Sequence, residues 1–200
     1  RPAAAPRSAA AEIRRLTAEL ARARGRIREL ESLAETDGLL DLLNRRGFER
    51  ELKRAIAYIR RYRGSGAVIA LDVDRLKAVN DERGHAAGDA LLKAIAAVLQ
   101  RQTRASDVVG RLGGDEFGVV LWNLSAADAL AKAAALEAAI DGLVATFRGR
   151  RIRAGASTGV AMIAGDDDVA AVLDRADKAM YARKRERRSP PAGAAPDLRR

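Results

Sequence analysis

The sequence predicts an α+β fold, a sheet layered with helices and preceded by a long N-terminal helix, on three observations. Short apolar runs bounded by turn residues alternate with longer stretches of helical periodicity in the order α-β-α-α-β-β-α-β-α, the pattern of one sheet covered by helices. Two of the strand-like runs flank a Gly-Gly pair, as the arms of a hairpin do. Ahead of these, apolar residues recur every three and four positions from Ile13 to Ala34. The chain has 200 residues, 48% of them apolar, enough for one domain with a buried core plus an appendage.

Residues 1–10 (RPAAAPRSAA) are rich in Pro and Ala and are expected to be disordered. Ile13, Leu16, Leu20, Ala23, Ile27, Leu30 and Ala34 then occupy heptad a and d positions with Arg and Glu on the other faces, so 11–36 is expected to form a coiled-coil or signalling helix. Gly25 weakens this helix by about 1 kcal/mol. A single amphipathic helix lying on its own domain is the alternative. Asp37 marks a break or cap before a helix over 41–63 whose apolar face carries Leu42, Leu43, Phe48, Leu52, Ile56 and Ile59. Gly64-Ser65-Gly66 ends it, and Ala67–Leu71 reads as a buried strand running into Asp72-Val73-Asp74. A helix over 75–80, a turn at Gly84–Gly88 and a long helix over 89–103 follow. Val108–Leu112 and Glu116–Trp122 make the hairpin, 125–145 is Ala-rich and helical, 151–163 is strand-like, and 169–187 is the last helix. Residues 189–200 (SPPAGAAPDLRR) are expected to be disordered.

The formal charge of +10 invites a nucleic-acid reading, and its distribution argues against one. Residues 1–36 hold eight Arg against five Glu, and 175–200 hold nine basic against three acidic residues. The middle, 37–174, holds 20 basic and 19 acidic residues and is nearly neutral. A duplex-binding domain carries its basic surface on the fold itself, so no nucleic-acid partner is expected. The absence of cysteine excludes a disulfide scaffold, a thiolate zinc site and a Cys nucleophile, and fits a cytoplasmic location. No apolar run approaches the roughly 18 residues that span a bilayer, and no signal sequence opens the chain, so no transmembrane segment is expected. A start at Arg1 rather than Met suggests a fragment or processed chain, with any input domain upstream.

Asp72 and Asp74 sit at the end of an apolar strand and, being two apart, project from one face of it. Asp115-Glu116 follow two glycines that permit a tight turn and a close approach of backbone to a ligand. Two acidic tips, each beside an apolar strand, make a plausible oxygen-ligand site for Mg2+. Strand-end acids also cap helices, which is the simpler reading of either pair alone. His85, the only histidine, suits a structural place in a Gly-His turn better than a general base. Trp122 and the three tyrosines are too scattered for a base-stacking platform.

The string Arg111-Leu112-Gly113-Gly114-Asp115-Glu116-Phe117 resembles the signature of the GGDEF domain family, the diguanylate cyclases. Asp72-Val73-Asp74-Arg75-Leu76-Lys77-Ala78-Val79-Asn80-Asp81, with Gly84-His85 and Gly88-Asp89, is similar to the family's DxDxFKxxND and GHxxGD blocks. Asp37 with Asn44-Arg45-Arg46 resembles its opening motif, and Ser157-Thr158-Gly159-Val160-Ala161 its late strand. Ala176-Asp177, Met180-Tyr181, Lys184 and Arg188 resemble its closing helix. The blocks run in order and at family spacing over 37–188, the expected cyclase domain, and agreement by chance across five of them is negligible.

The resemblance implies a mostly antiparallel central sheet flanked by helices, the palm-like fold of nucleotidyl cyclases. It implies an enzyme that joins two GTP into cyclic di-GMP with release of two pyrophosphates, one GTP on each protomer of a homodimer. Asp72 and Asp115 match the side chains that hold Mg2+ (Mn2+ is the alternative), with the backbone carbonyl of Val73. Glu116 matches the acid associated with the metal and with deprotonation of the attacking 3′-hydroxyl. Gly113 and Gly114 leave room for the nucleotide. Asn80 and Asp89 match the guanine readers, and a carboxylate acceptor suits the N1–H and N2 amino donors of guanine. Lys77, Lys184 and Arg188 match cations near the β- and γ-phosphates. Five residues separate the end of Arg104-Ala105-Ser106-Asp107 from Gly113, and Arg104 and Asp107 are thus in the register of the family's inhibitory RxxD site for cyclic di-GMP; a surface ion pair is the simpler alternative. The sequence departs from the family at Leu40-Asp41 (usually Thr-Gly), Leu76 (usually Phe) and Arg187 and Ser189 around Arg188 (usually Gly and Asn). A catalytically silent cyclic di-GMP receptor acting through a partner is the second functional reading, and the intact Asp72, Asp115 and Glu116 weigh against it.

Overall fold

The apolar run after Gly64-Ser65 becomes the centre of a four-stranded sheet. The protein, a computed structural model, is described over residues 9–33 and 35–188, and these divide into two units, one up to Glu35 and one from Thr36. The first unit is α1 (Ala9–Leu33), held along its surface by Arg15, which pairs with Glu12 at 2.6 Å and Glu19 at 3.0 Å. Its Ile13, Leu16, Leu20, Ile27 and Leu30 are 50% to 64% exposed. The helix already includes Ala9 and Ala10, which were expected to be disordered. The rest of the disorder expected for 1–10 and 189–200 lies outside the described residues.

The second unit runs α2 (Arg45–Tyr62), β1 (Gly66–Asp74), α3 (Leu76–Arg83), α4 (His85–Gln102), β2 (Val108–Arg111), β3 (Glu116–Trp122), α5 (Ala126–Asp141), β4 (Ala145–Phe147), β5 (Arg150–Ile152), β6 (Gly155–Met162) and α6 (Val169–Arg188). The main sheet has the order β2-β3-β1-β6, with every pairing antiparallel. Helices cover both of its faces, which is why β1 is apolar at every position from 67 to 71 instead of alternating. Ile69, Leu71, Val73, Phe117 and Val119 pack with Leu91, Ile95 and Leu99 of α4 and Leu136 and Ile140 of α5. Val68, Ala70 and Val120 pack with Phe48, Leu52 and Ile56 of α2 and Val172, Ala176 and Met180 of α6. Helix α6 lies directly on β6 at Gly159, where a Cβ would come within 2.0 Å of the Met180 nitrogen.

Three boundaries differ from the sequence reading. The helix expected from 41 begins at Arg45, because Asn44 caps it through the Gly47 N–H while Asp37 accepts from the Leu39 and Leu40 N–H groups and folds 37–43 into a loop. Leu40 and Leu42 of this loop still enter the core, so their apolar pattern mimics a helix face. The Gly84–Gly88 turn shrinks to Gly84 alone, and α4 starts at His85. Instead of helix to 145 and one strand from 151, β4 and β5 form a separate hairpin whose Arg148 and Gly149 both have positive φ (48° and 74°).

Candidate active site

Period-two alternation places the acids of β1. With Ile69, Leu71 and Val73 facing α4 and α5, Asp72 and Asp74 fall on the face covered by α2 and α6. Asp72 stands opposite Glu116 in the β1–β3 register, an arrangement of like charges that opposes folding. The Val73 N–H donates to the Asp115 carbonyl at 2.9 Å and binds the tip of the β2–β3 hairpin to the end of β1. Arg111 holds the glycine turn itself. Its Nε donates to the Gly113 carbonyl (3.0 Å), one Nη to Gly114 (2.8 Å) and the other to Asp37 (3.2 Å).

Asp72 is nearly buried, and that burial pushes its carboxyl above the ordinary aspartate range. Lys184 pulls the other way from 2.5 Å, while the charges of Asp115 and Asp74 add to the rise. Glu116 turns aside, its Oε2 3.6 Å from Arg45 and folded against Gly113. Among the described residues no three His, Asp or Glu side chains form a ready-made metal cage. Mg2+ does not need one, because it is held by about one or two carboxylates together with water and substrate phosphates. Asp72 and Asp115, two mutually repelling hard-oxygen donors at one strand end, fit such an ion.

A cleft of about 440 Å³ between α3, α4 and the hairpin tip gathers Lys77, Asn80, Asp89, Gly114 and Asp115. His85 lines it too, as the first residue of α4. The helices come this close because Gly88 has no side chain: a Cβ there would lie 2.0 Å from Asn80 Oδ1. That Oδ1 is buried with no hydrogen-bond partner among the described residues. A second cleft, of about 450 Å³, is lined by Asp74, Arg75, Arg153, Arg187 and Arg188. Of the expected site residues, the structure thus collects five in the first cleft, puts Arg188 in the second, and joins Lys184 to Asp72, which feels charges from both clefts. Gly113 and Glu116 lie in neither lining. Sequence reasoning gave no role to Arg75, Arg111, Arg153 and Arg187; Arg75 and Arg111 stood inside the quoted motifs, whereas only the fold brings Arg75, Arg153 and Arg187 together.

Arg104 and Asp107 form a turn in which Asp107 accepts from the Arg104 N–H (2.8 Å) and donates its own N–H to the Arg104 carbonyl (3.0 Å). Among the described residues their side chains make no ion pair with each other. Both residues line two neighbouring clefts, of about 730 and 340 Å³.

Residues 34–190 match the family model described as diguanylate cyclase, GGDEF domain. The diguanylate cyclase TpbB of Pseudomonas aeruginosa is 42% identical over 157 residues, which cover 78% of this chain and 36% of that protein. A sensory box/GGDEF family protein from Caulobacter crescentus superposes with a TM-score of 0.72 at 38% identity, covering 76% of this chain and 99% of that one. The coiled coil and GGDEF domain of DgcB from the same organism, solved in complex with c-di-GMP, gives a TM-score of 0.72 at 28% identity, covering 90% of this chain and 96% of that one. The chain spans well under half the length of the curated relatives it matches. With motif, fold and cleft in agreement, the chain belongs to the GGDEF domain family of diguanylate cyclases.

Proposed function

We propose that this chain condenses two GTP into cyclic di-GMP and two pyrophosphates, with a divalent cation, as a homodimer whose protomers each present one GTP. The observation that carries this is the cleft that unites Lys77, Asn80, Asp89, Gly114 and Asp115 beside the raised, nearly buried carboxyl of Asp72. The 3′-hydroxyl of one GTP attacks the α-phosphorus of the other. The new P–O bond forms as the bond to the α,β-bridging oxygen breaks, and pyrophosphate leaves. Repetition of the step with the roles exchanged closes the ring.

Asp89 accepts from N1–H and the N2 amine of guanine, and Asn80 supplies for the same edge a carbonyl oxygen that has no partner among the described residues. Glu116, 3.6 Å from Arg45, takes the proton of the 3′-hydroxyl. Lys77, Lys184 and Arg188 balance the charge that builds on the leaving pyrophosphate. Asp72, Asp115 and the Val73 carbonyl would hold Mg2+ or Mn2+, which supplies charge neutralisation of the triphosphate. Because each protomer brings half of the reaction, the exposed seam of α1 gives two copies a way to meet. Arg104 and Asp107 bind cyclic di-GMP as an inhibitor, the guanidinium on the O6/N7 edge of guanine and the carboxylate on its donors. The c-di-GMP bound to the related DgcB supports the choice of ligand.

Incubation of the chain with GTP and either Mg2+ or Mn2+, followed by chromatography, is expected to yield cyclic di-GMP and two pyrophosphates per product. Absence of product at every protein concentration, with cyclic di-GMP binding retained, would favour a silent receptor instead.

A further inference from the structure

Among the described residues two carboxylates are buried, Asp72 and Glu137, and the reaction uses only the first. Glu137 of α5 accepts from the N–H and hydroxyl of Thr158 on β6 (2.8 and 2.9 Å) and from Arg183 of α6 (2.9 Å). One helical turn on, Asp141 accepts from the Ala156 N–H (3.3 Å) and takes two bonds from Arg187 (2.8 and 2.9 Å). Arg187 also links the rungs, lying 3.6 Å from Glu137 and 3.6 Å from Asp74. Gly155 makes the space: a Cβ there would lie 3.0 Å from Arg187 Nη2 and 2.8 Å from Asp141 Oδ1.

Arg183 and Arg187 are four residues apart, as are Glu137 and Asp141, so the two helices meet as a two-rung ladder. Lys184 and Arg188 follow each rung by one residue on α6, which turns them to the neighbouring face. There Lys184 reaches Asp72 and Arg188 lines the arginine-rich cleft. The final turn of a helix frays unless its side chains are tied. Here the rungs at Arg183 and Arg187 tie it one residue before each of Lys184 and Arg188.

We propose that Arg187 and Arg183, held by Asp141 and Glu137, are positioning residues that set the end of α6 so that Lys184 and Arg188 meet the triphosphate. This rests on the assignment of those two cations to GTP phosphates made above. Arg187 divides its charge among three carboxylates and acts through Arg188 and Lys184.

The test is calorimetric binding of GTP carrying a methylene group in place of the α,β-bridging oxygen, with Mg2+, to the full chain and to Asp141→Asn and Arg187→Lys. The sign decides. Removal of a negative charge beside a triphosphate site would tighten binding if only electrostatics mattered, and Arg187→Lys keeps its charge. The ladder requires both variants to bind about fivefold to tenfold more weakly, as misplaced ligating groups do, with circular dichroism showing each folded. Affinity that is unchanged or tighter in the folded variants would overturn it, and if Asp141→Asn does not fold, Arg187→Lys decides alone. An unaltered chain that binds the analogue yet makes no cyclic di-GMP would sink the cyclase reading and leave the ladder test standing. Failure of the unaltered chain to bind the analogue would overturn both.

Discussion

Two buried carboxylates, Asp72 and Glu137, have opposite surroundings. Burial pushes both upward, but Glu137 is met by Arg183 and by two donors of Thr158 and ends below the ordinary glutamate range. Asp72 has one cation, Lys184, against burial and the charges of Asp115 and Asp74, and ends above the ordinary aspartate range. A satisfied buried acid costs stability when its partners are removed, whereas one left facing its own kind stores a need for positive charge. The pair therefore separates a carboxylate satisfied by the fold from one proposed to serve the reaction.

The largest effect should come from Asp72→Asn. Turnover of GTP is expected to fall about a thousandfold or more, with the melting temperature moving by no more than about 3 °C. A collapse in stability would erase the contrast. Glu137→Ala should do the reverse. Because Arg183 is half exposed in any case, the cost is expected near the lower edge of a broken buried pair, about 2–3 kcal/mol by urea denaturation.

Weakened dimerisation should touch only the Asp72 side of the contrast. Leu20→Lys in the α1 seam is expected to cost about 2 kcal/mol, near thirtyfold in the dissociation constant by sedimentation equilibrium. Turnover would then drop at low protein concentration while the urea midpoint of the cyclase domain stays. Arg104→Ala, remote from both acids, should raise the cyclic di-GMP concentration for half-inhibition about tenfold, the loss of one charged hydrogen bond.

The smallest effect is in the pH dependence, and it differs in sign between the two acids. Glu137, depressed in the fold, contributes stability above its unfolded pKa and loses it as pH falls through the folded value. Asp72, raised in the fold, contributes below its unfolded pKa and loses that as pH rises through the folded value. Urea titrations between about pH 3 and 6 should show the advantage of wild type over Glu137→Gln growing with pH. Its standing relative to Asp72→Asn should decline over the same range.

Reading from sequence succeeded where information is local. The Asp72–Asp81 and Arg111–Phe117 blocks put the carboxylates, Asn80 and the glycine turn at fixed spacings, and alternation along β1 gave the shared face of Asp72 and Asp74. It failed where apolar pattern and geometry part. Leu39, Leu40, Leu42 and Leu43 looked like a helix face, but Asp37 and Asn44 spend their side chains on backbone N–H groups and make a loop whose leucines still reach the core. Leu40, which departs from the family's opening motif, is itself buried in that core. The hairpin of β4 and β5 turns at Arg148-Gly149, which lacks the Asn-Gly or Asp-Gly signal of such turns.

By itself the sequence determined the four strands of the main sheet, the order of the helices and the places of the acids, because these depend on periodicity and on residues a few positions apart. Only the tertiary structure decided which cations of the last helix meet Glu137 and Asp141 and which turn to Asp72 or the arginine-rich cleft. Arg183, Lys184, Arg187 and Arg188 look alike in a basic helix end. Their partners Glu137, Asp141 and Asp72 lie more than forty residues away, and nothing but the packing of α5, β6 and β1 against α6 brings them within hydrogen-bonding distance.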